Sequence, residues 1–258
     1  MFGFLKKREI TSGDSAQERE EDFNDIEAVA AYFKRETGVA FEQQISIFKN
    51  KVTRFCKNKE ICSHKNLLKM MRDDASLRQE FIDAHTTNET FFYREFHQIQ
   101  ELIERVKKRD DYIEILCAPG ATGEEPYSIA IALLEAGVPQ KQFHIVAVDI
   151  NQSAIQRAKE GIYKERVLRN LTPQIKNDYF AQSGILYAVH ENIKALVTFR
   201  VVNIFESSFK SIGKFDFIFS RNMLIYFDKE TKLRAKEILE SLRKNQTQAI
   251  FFGHADLL

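Results

Sequence analysis

The spacing of apolar positions changes its period near residue 110. Upstream, Ile45, Phe48, Val52 and Phe55 step by three, four and three, which puts them on one face of a helix. The stretch from about 22 to 109 therefore reads as mostly helical. Downstream, short β-rich runs alternate with helical ones: Tyr112 to Cys117, Glu125 to Ala136, Phe143 to Asp149 and Ser153 to Lys159. This alternation predicts βαβ units, a parallel sheet covered by helices and an α/β fold. Leu196 to Val202, Phe215 to Ser220 and Ala249 to Gly253 are further predicted strands. Asp228 is placed to cap a helix running through Leu233, Ile238 and Leu242. Between Gly161 and Phe199 the spacing is irregular, with Tyr163, Tyr179, Phe180 and Tyr187 among polar residues and Gly184 at a predicted turn. That stretch, about 161–200, reads as an insertion between core strands.

Composition narrows this picture. Residues 11 to 27 are polar and charge-rich, so 1–21 is expected to be a flexible leader and the folded part to begin near Asp22. The charge of Lys6-Lys7-Arg8 follows a short apolar stretch, the wrong order for an export signal. No run approaches the ~20 apolar residues of a spanning helix, so direct membrane insertion is not expected. With 44% apolar and 29% charged residues among 258, the chain matches a globular protein and excludes extensive disorder. Thirty-eight basic residues against 37 acidic ones leave a net charge of +1, which excludes nucleic acid held by bulk charge. Three cysteines without CxxC spacing fit a reducing cytoplasm, and six histidines without an HxH or HExxH pair predict no metal.

Candidate chemistry lies at the first βα turn, where Ile113-Glu-Ile-Leu116 runs into Cys117-Ala-Pro-Gly-Ala-Thr-Gly-Glu-Glu-Pro-Tyr-Ser128. In open α/β sheets ligands sit outside the carboxyl ends of strands, so a nucleotide-like ligand is expected. The glycines do not follow GxGxxG, and Glu124 and Glu125 stand where a pyrophosphate would meet the helix N-terminus. Two carboxylates there repel phosphate and suit a ligand with positive charge, such as S-adenosylmethionine. Asp149, at the end of the second strand, is placed to bind its ribose. Cys117, at a strand end, reads as core or pocket wall.

Gly123-Glu-Glu-Pro-Tyr-Ser128 resembles the hallmark segment of the CheR-type protein-glutamate methyltransferases. Thr86-Thr-Asn-Glu-Thr-Phe-Phe-Tyr-Arg-Glu95 resembles that family's TTNxTxFFR, and Phe215-Asp-Phe-Ile-Phe-Ser-Arg-Asn-Met-Leu-Ile-Tyr-Phe-Asp228 its FDxIFCRNxxIYFD. Gly253-His-Ala-Asp256 is close to GHSE. Tyr93 and Ser220 depart from the usual Phe and Cys, and the chain ends at Leu258, where the resemblance implies one more strand. The resemblance implies a Rossmann-like S-adenosylmethionine-dependent methyltransferase domain at 110–258 with a small inserted β-subdomain. It also implies an N-terminal all-helical domain at 22–85 and a cofactor-contacting linker at 86–109. Carried over by position, Asn88, Thr90, Arg94, Glu124 or Glu125, Asp149, Asn203, Ile204, Ser220 and Arg221 would hold the cofactor, and Arg94 and Tyr226 would line the place of methyl transfer.

What the resemblance implies is methylation of glutamates on the cytoplasmic helices of chemotaxis receptors by a monomeric enzyme, with S-adenosylhomocysteine as product. Residues 31 to 70 hold nine Lys or Arg against Glu36, Glu42 and Glu60, and Lys51, Arg54 and Lys57 are expected to fan across the side opposite Val52 and Phe55. That basic face suits a Glu-rich receptor helix, and it also suits a plain solvated face. A noncatalytic cofactor-binding sensor or scaffold is the rival reading.

Overall fold

The computed structural model describes residues 22–41 and 44–256; the leader expected at 1–21, Glu42 and Leu258 lie outside the described residues. Asp25 accepts the Ala28 N–H at 3.2 Å and starts α1 (Ile26–Thr37). It is followed by α2 (Ile45–Asn58), α3 (His64–Asp73) and α4 (Ala75–His85). Ser63 and Asp74 cap α3 and α4 by accepting backbone N–H groups that no helical carbonyl can reach. The stepped apolar face of α2 turns inward: Phe48 and Val52 are buried with Phe33, Leu67, Met71 and Phe81, while Ile45 and Phe55 pack at the margin. After α4 the chain runs irregularly over 86–95 and enters α5 (Phe96–Val106).

The remaining elements are β1 (Ile113–Cys117), α6 (Glu124–Glu135), β2 (Phe143–Asp149), α7 (Gln152–Glu160), β3 (Ile162–Lys164), α8 (Pro173–Tyr179), β4 (Phe180–Ser183), β5 (Leu186–Val189), α9 (Glu191–Lys194), β6 (Val197–Val201), β7 (Phe217–Ser220), α10 (Lys229–Ser241) and β8 (Ile250–Phe252). The central sheet has the order β6-β2-β1-β7-β8, and every pairing is parallel. The chain begins in mid-sheet, winds outward to β6 and returns to β7, so the order reverses between β1 and β7. A crevice opens at the carboxyl ends of the strands where neighbouring crossovers diverge. The fold is a Rossmann-like α/β one. Helix α6 is buried on nearly all sides and its sequence is apolar all round beyond the first turn, as a helix enclosed by sheet and neighbours requires.

Between α7 and β6 lies an antiparallel sheet of order β3-β5-β4, with Gly184 in the β4–β5 turn at φ +59°. The helix expected through Leu233 is α10, capped by Asp228, which accepts the Thr231 N–H at 2.8 Å; Leu233 itself is 56% exposed. The buried stripe of α10 is Ala235, Ile238 and Leu239, continued by Leu242, and position 233 is out of phase with it.

The N-terminal helices close over the crevice. Asp83 of α4 accepts the N–H groups of Gln152 (2.9 Å) and Ser153 (2.8 Å) and so caps α7 from a distant segment. Ala40 donates its N–H to the Tyr226 carbonyl at 2.9 Å, and Lys34 pairs with Asp228 at 2.6 Å. Among the described residues, no helix is long and apolar enough to cross a membrane.

Candidate active site

The turn after β1 has a shape that few sequences allow. Gly123 enters α6 at φ +95°, and a β-carbon there would meet the Tyr163 hydroxyl at 2.7 Å. Ala121, beside it, is also left-handed (φ +45°) and donates its N–H to Asp149 Oδ2 at 2.9 Å. Asp149 Oδ1 accepts the Asn151 N–H at 2.9 Å. Burial raises the Asp149 carboxyl to about 6, against the lowering pull of these backbone hydrogen bonds. Asp149 is only 6% exposed, yet it lines a cavity of about 450 Å³ between the strand ends and the N-terminal helices. Val148, Ile150, Val202 and Ile204 give that cavity apolar walls, and Asn88 and Asn203 give it polar edges. A carboxylate beside an apolar slot fits an adenosine: hydroxyls for the acid, a flat base for the walls.

A second cavity, of about 290 Å³, adjoins the first and has another character. Asn88, Pro119, Ala121, Asn222, Ile225 and Tyr226 line both. Beyond them the second cavity is edged by Thr90, Arg94, Arg166, Arg169 and the Glu125–Arg221 pair. Among the described residues Arg94 donates to the Glu89 carbonyl at 3.3 Å and lies 5.8 Å from the Phe91 ring centre, while Arg169 stacks over that ring at 3.7 Å from its centre. The Arg166 guanidinium has no hydrogen bond or ion pair to another described residue. Four arginines, Arg94, Arg166, Arg169 and Arg221, line this recess against the two glutamates Glu89 and Glu125, so its lining is net positive and it can take a carboxylate.

Left-handed backbone recurs around the site: Ala121 and Asn222 line both cavities, and Tyr93 and Glu95 flank Arg94. Tyr93, Glu95, Ala121 and Asn222 all have positive φ, between 45° and 59°. Each such residue costs of order 1 kcal/mol, and such positions gather where a chain must present groups to a ligand.

The residues expected from the sequence divide into two groups. Asn88, Thr90, Arg94, Glu125, Asp149, Asn203, Ile204, Arg221 and Tyr226 are brought to the cavities, and Glu124 and Ser220 are not. Asn203 is tied at both ends of its amide, donating to the Glu36 carbonyl at 2.6 Å and accepting from the Phe205 N–H at 3.0 Å. Of the two glutamates of the GEEPYS string, Glu125 edges the second cavity and Glu124 does not. Glu124, 3% exposed, lines neither cavity and accepts the Thr122 hydroxyl at 2.7 Å. Its carboxyl is raised by burial. Glu125 is paired with Arg221, whose Nη1 also donates to the Arg94 carbonyl at 2.7 Å. Ser128 accepts the Tyr93 N–H at 3.0 Å, and Tyr127 donates to the Ala158 carbonyl at 2.9 Å. The string is thus a joint holding the 93–95 segment, α7 and the end of β7 around the loop.

Ser220 is fully buried at the end of β7, its hydroxyl has no partner among the described residues, and it lines neither cavity. Cys117 is core, with burial holding its thiol well above the ordinary range. On α2, Arg54 and Lys57 are exposed and away from both cavities, but Lys51 corrects the expected fan: its side chain lines the first cavity. It directly precedes Val52 and so flanks the buried face instead of opposing it. Arg166 and Arg169 were not legible as site residues, because nothing local marks which of many exposed arginines a fold turns toward a recess.

A family model described as CheR methyltransferase, SAM binding domain, matches residues 88–258. The chain is 34% identical over 223 residues to a chemotaxis protein methyltransferase of Campylobacter jejuni, covering 86% of this chain and 84% of that protein. It is 33% identical over 241 residues to chemotaxis protein methyltransferase 2 of Vibrio cholerae, covering 87% and 82%. Against the chemotaxis protein methyltransferase of Salmonella typhimurium it is 39% identical over 159 residues, covering 60% and 55%.

Proposed function

The chain belongs to the CheR methyltransferase family, and from that premise we propose that it transfers the methyl group of S-adenosylmethionine to glutamate side chains on cytoplasmic helices of chemotaxis receptors. The products are glutamate methyl esters and S-adenosylhomocysteine. The observation that carries this reading is the adjacency of two unlike cavities: one with apolar walls and the carboxylates of Asp149 and Asp228, the other rimmed by arginines, with Tyr226 and Asn222 common to both.

S-adenosylmethionine, when bound, supplies a methyl carbon made electrophilic by its sulfonium. The chain's own residues do the rest. Asp149 would accept the ribose hydroxyls, and Val148, Ile150, Val202 and Ile204 would enclose the base. A glutamate of ordinary pKa, about 4.3, is ionised at neutral pH and needs no general base. Arg94 would orient the incoming carboxylate and Tyr226 would donate a hydrogen bond to it. Seating a receptor helix on the recess would displace water, so that a weakly basic oxygen would be stripped of solvent and held at attack distance. The reading is tested with labelled cofactor and a receptor cytoplasmic fragment. Label should pass to the fragment and be lost when its accepting glutamates are changed to glutamine; undiminished labelling of the glutamine form would contradict it.

Arg166 and Arg169 edge the recess on the side of the small sheet, where an acidic partner would enter. The double substitution Arg166→Ala, Arg169→Ala should raise KM for the receptor fragment about fivefold or more and leave kcat within about twofold, because lost orientation-independent attraction is lost equally from ground and transition states. Initial-rate kinetics at two salt concentrations check this, since the wild-type KM should rise with salt more steeply than the variant's.

A further inference from the structure

One buried carboxylate has no part in the chemistry above. Asp256 stands in a 3-10 turn (His254–Asp256) after β8, is 2% exposed, and lines neither cavity. Its Oδ2 accepts the N–H of Asn222 and, at 3.1 Å, that of Gly253; its Oδ1 accepts the Ile225 N–H at 3.2 Å. Asn222 and Ile225 begin and nearly end the turn that carries Tyr226, and Asn222 is left-handed at φ +59°. Backbone N–H groups left unpaired in such a place are costly, so a carboxylate satisfying two of them selects one turn conformation among several. Gly253 makes the close approach possible: a β-carbon there would lie 2.8 Å from the Asn222 nitrogen and 2.9 Å from Asp256 Oδ2.

We infer that Asp256 is a positioning residue for methyl transfer, its carboxylate latching the Asn222–Tyr226 turn in the shape that presents Asn222 and Tyr226 to both cavities. The inference rests on the functional reading given above. Because Asp256 touches neither cavity, its effect on the reaction passes through the turn, and that gives a signature distinct from general destabilisation.

The test is a double-substitution cycle on the full chain with S-adenosylmethionine and a receptor cytoplasmic fragment, using Asp256→Asn, Tyr226→Phe and the pair. Asp256→Asn alone should lower kcat about tenfold or more, with KM for S-adenosylmethionine within about threefold. In the Tyr226→Phe background it should cost less than about threefold further, since the turn would then have little left to position. Gly253→Ala, which presses on the same turn from the other side, should give the same non-additive pattern and serves if the Asp256→Asn protein does not fold. Wild-type kcat in Asp256→Asn, or a loss as large in the Tyr226→Phe background as alone, overturns the inference. A wild type that methylates no receptor fragment overturns the functional reading itself and the inference with it, and is told apart from the other outcomes by that inactive wild type.

Discussion

Asp149→Ala should bind S-adenosylhomocysteine about a hundredfold more weakly than the wild type. The carboxylate holds the Ala121 N–H with one oxygen and the Asn151 N–H with the other, and it lines the cavity between strand ends and helices beside the apolar walls of Val148 and Ile150. Two hydrogen bonds from ribose hydroxyls to a charged acceptor are worth about 1.5 kcal/mol each, and their sum is roughly two decades in affinity. Losing the anchor of the Ala121 turn adds to this. Isothermal calorimetry on folded protein decides it, and an unchanged affinity would remove Asp149 from the site. The pH dependence has a definite sign. Since burial raises this carboxyl from 3.8 to about 6 in the free protein, wild-type affinity should hold above pH 6 and fall as the acid protonates below it. Asp149→Ala should lack that inflection. Stability of the free protein moves the other way: between pH 4 and 6 the folded state holds a proton that the unfolded chain has released, so this group's contribution declines as pH rises through that window and is lost above about 6.

The second large effect concerns the fold. Glu125→Ala should lower stability by about 3–5 kcal/mol, because it leaves the Arg221 guanidinium buried with only the Arg94 and Glu95 carbonyls for company. For a chain of this size that corresponds to a fall in Tm of roughly 10 °C, at about 2–4 °C per kcal/mol. Replacing both partners by leucine should recover most of the loss, since the expensive state is the uncompensated charge. A calorimetric loss under about 1 kcal/mol for Glu125→Ala would mean that the pair is solvated and does not clamp the 93–95 segment to β7.

The central strands and the helices between them were legible because β1 and β2 are apolar runs bounded by turn residues, and because α6, α7 and α10 carry capping or helical spacing at their starts. Asp149 was legible as well, since the acid closing the second strand of such a sheet has few other places to point. Partnership across long sequence separations was not. Glu125 and Arg221 are both polar residues near a ligand turn, and only the folded chain shows that they neutralise each other. The same holds for Asp256, whose partners lie 31 and 34 residues away, and for Lys51, where a helix flank and a far face differ by one position. The short strands β3, β4 and β5 escaped definition for another reason. β3 alternates but is only three residues long, and β4 and β5 have a single buried residue each, so no sustained period of two develops.

If this cleft esterifies a carboxylate, the product must be chemically labile. Wild-type protein is incubated with methyl-tritiated S-adenosylmethionine and a receptor cytoplasmic fragment, and the washed fragment is brought to mild alkali. The account predicts that the label leaves as volatile methanol, as a methyl ester requires. Label that stays on the fragment through alkali would mean transfer to nitrogen or carbon, and would contradict it.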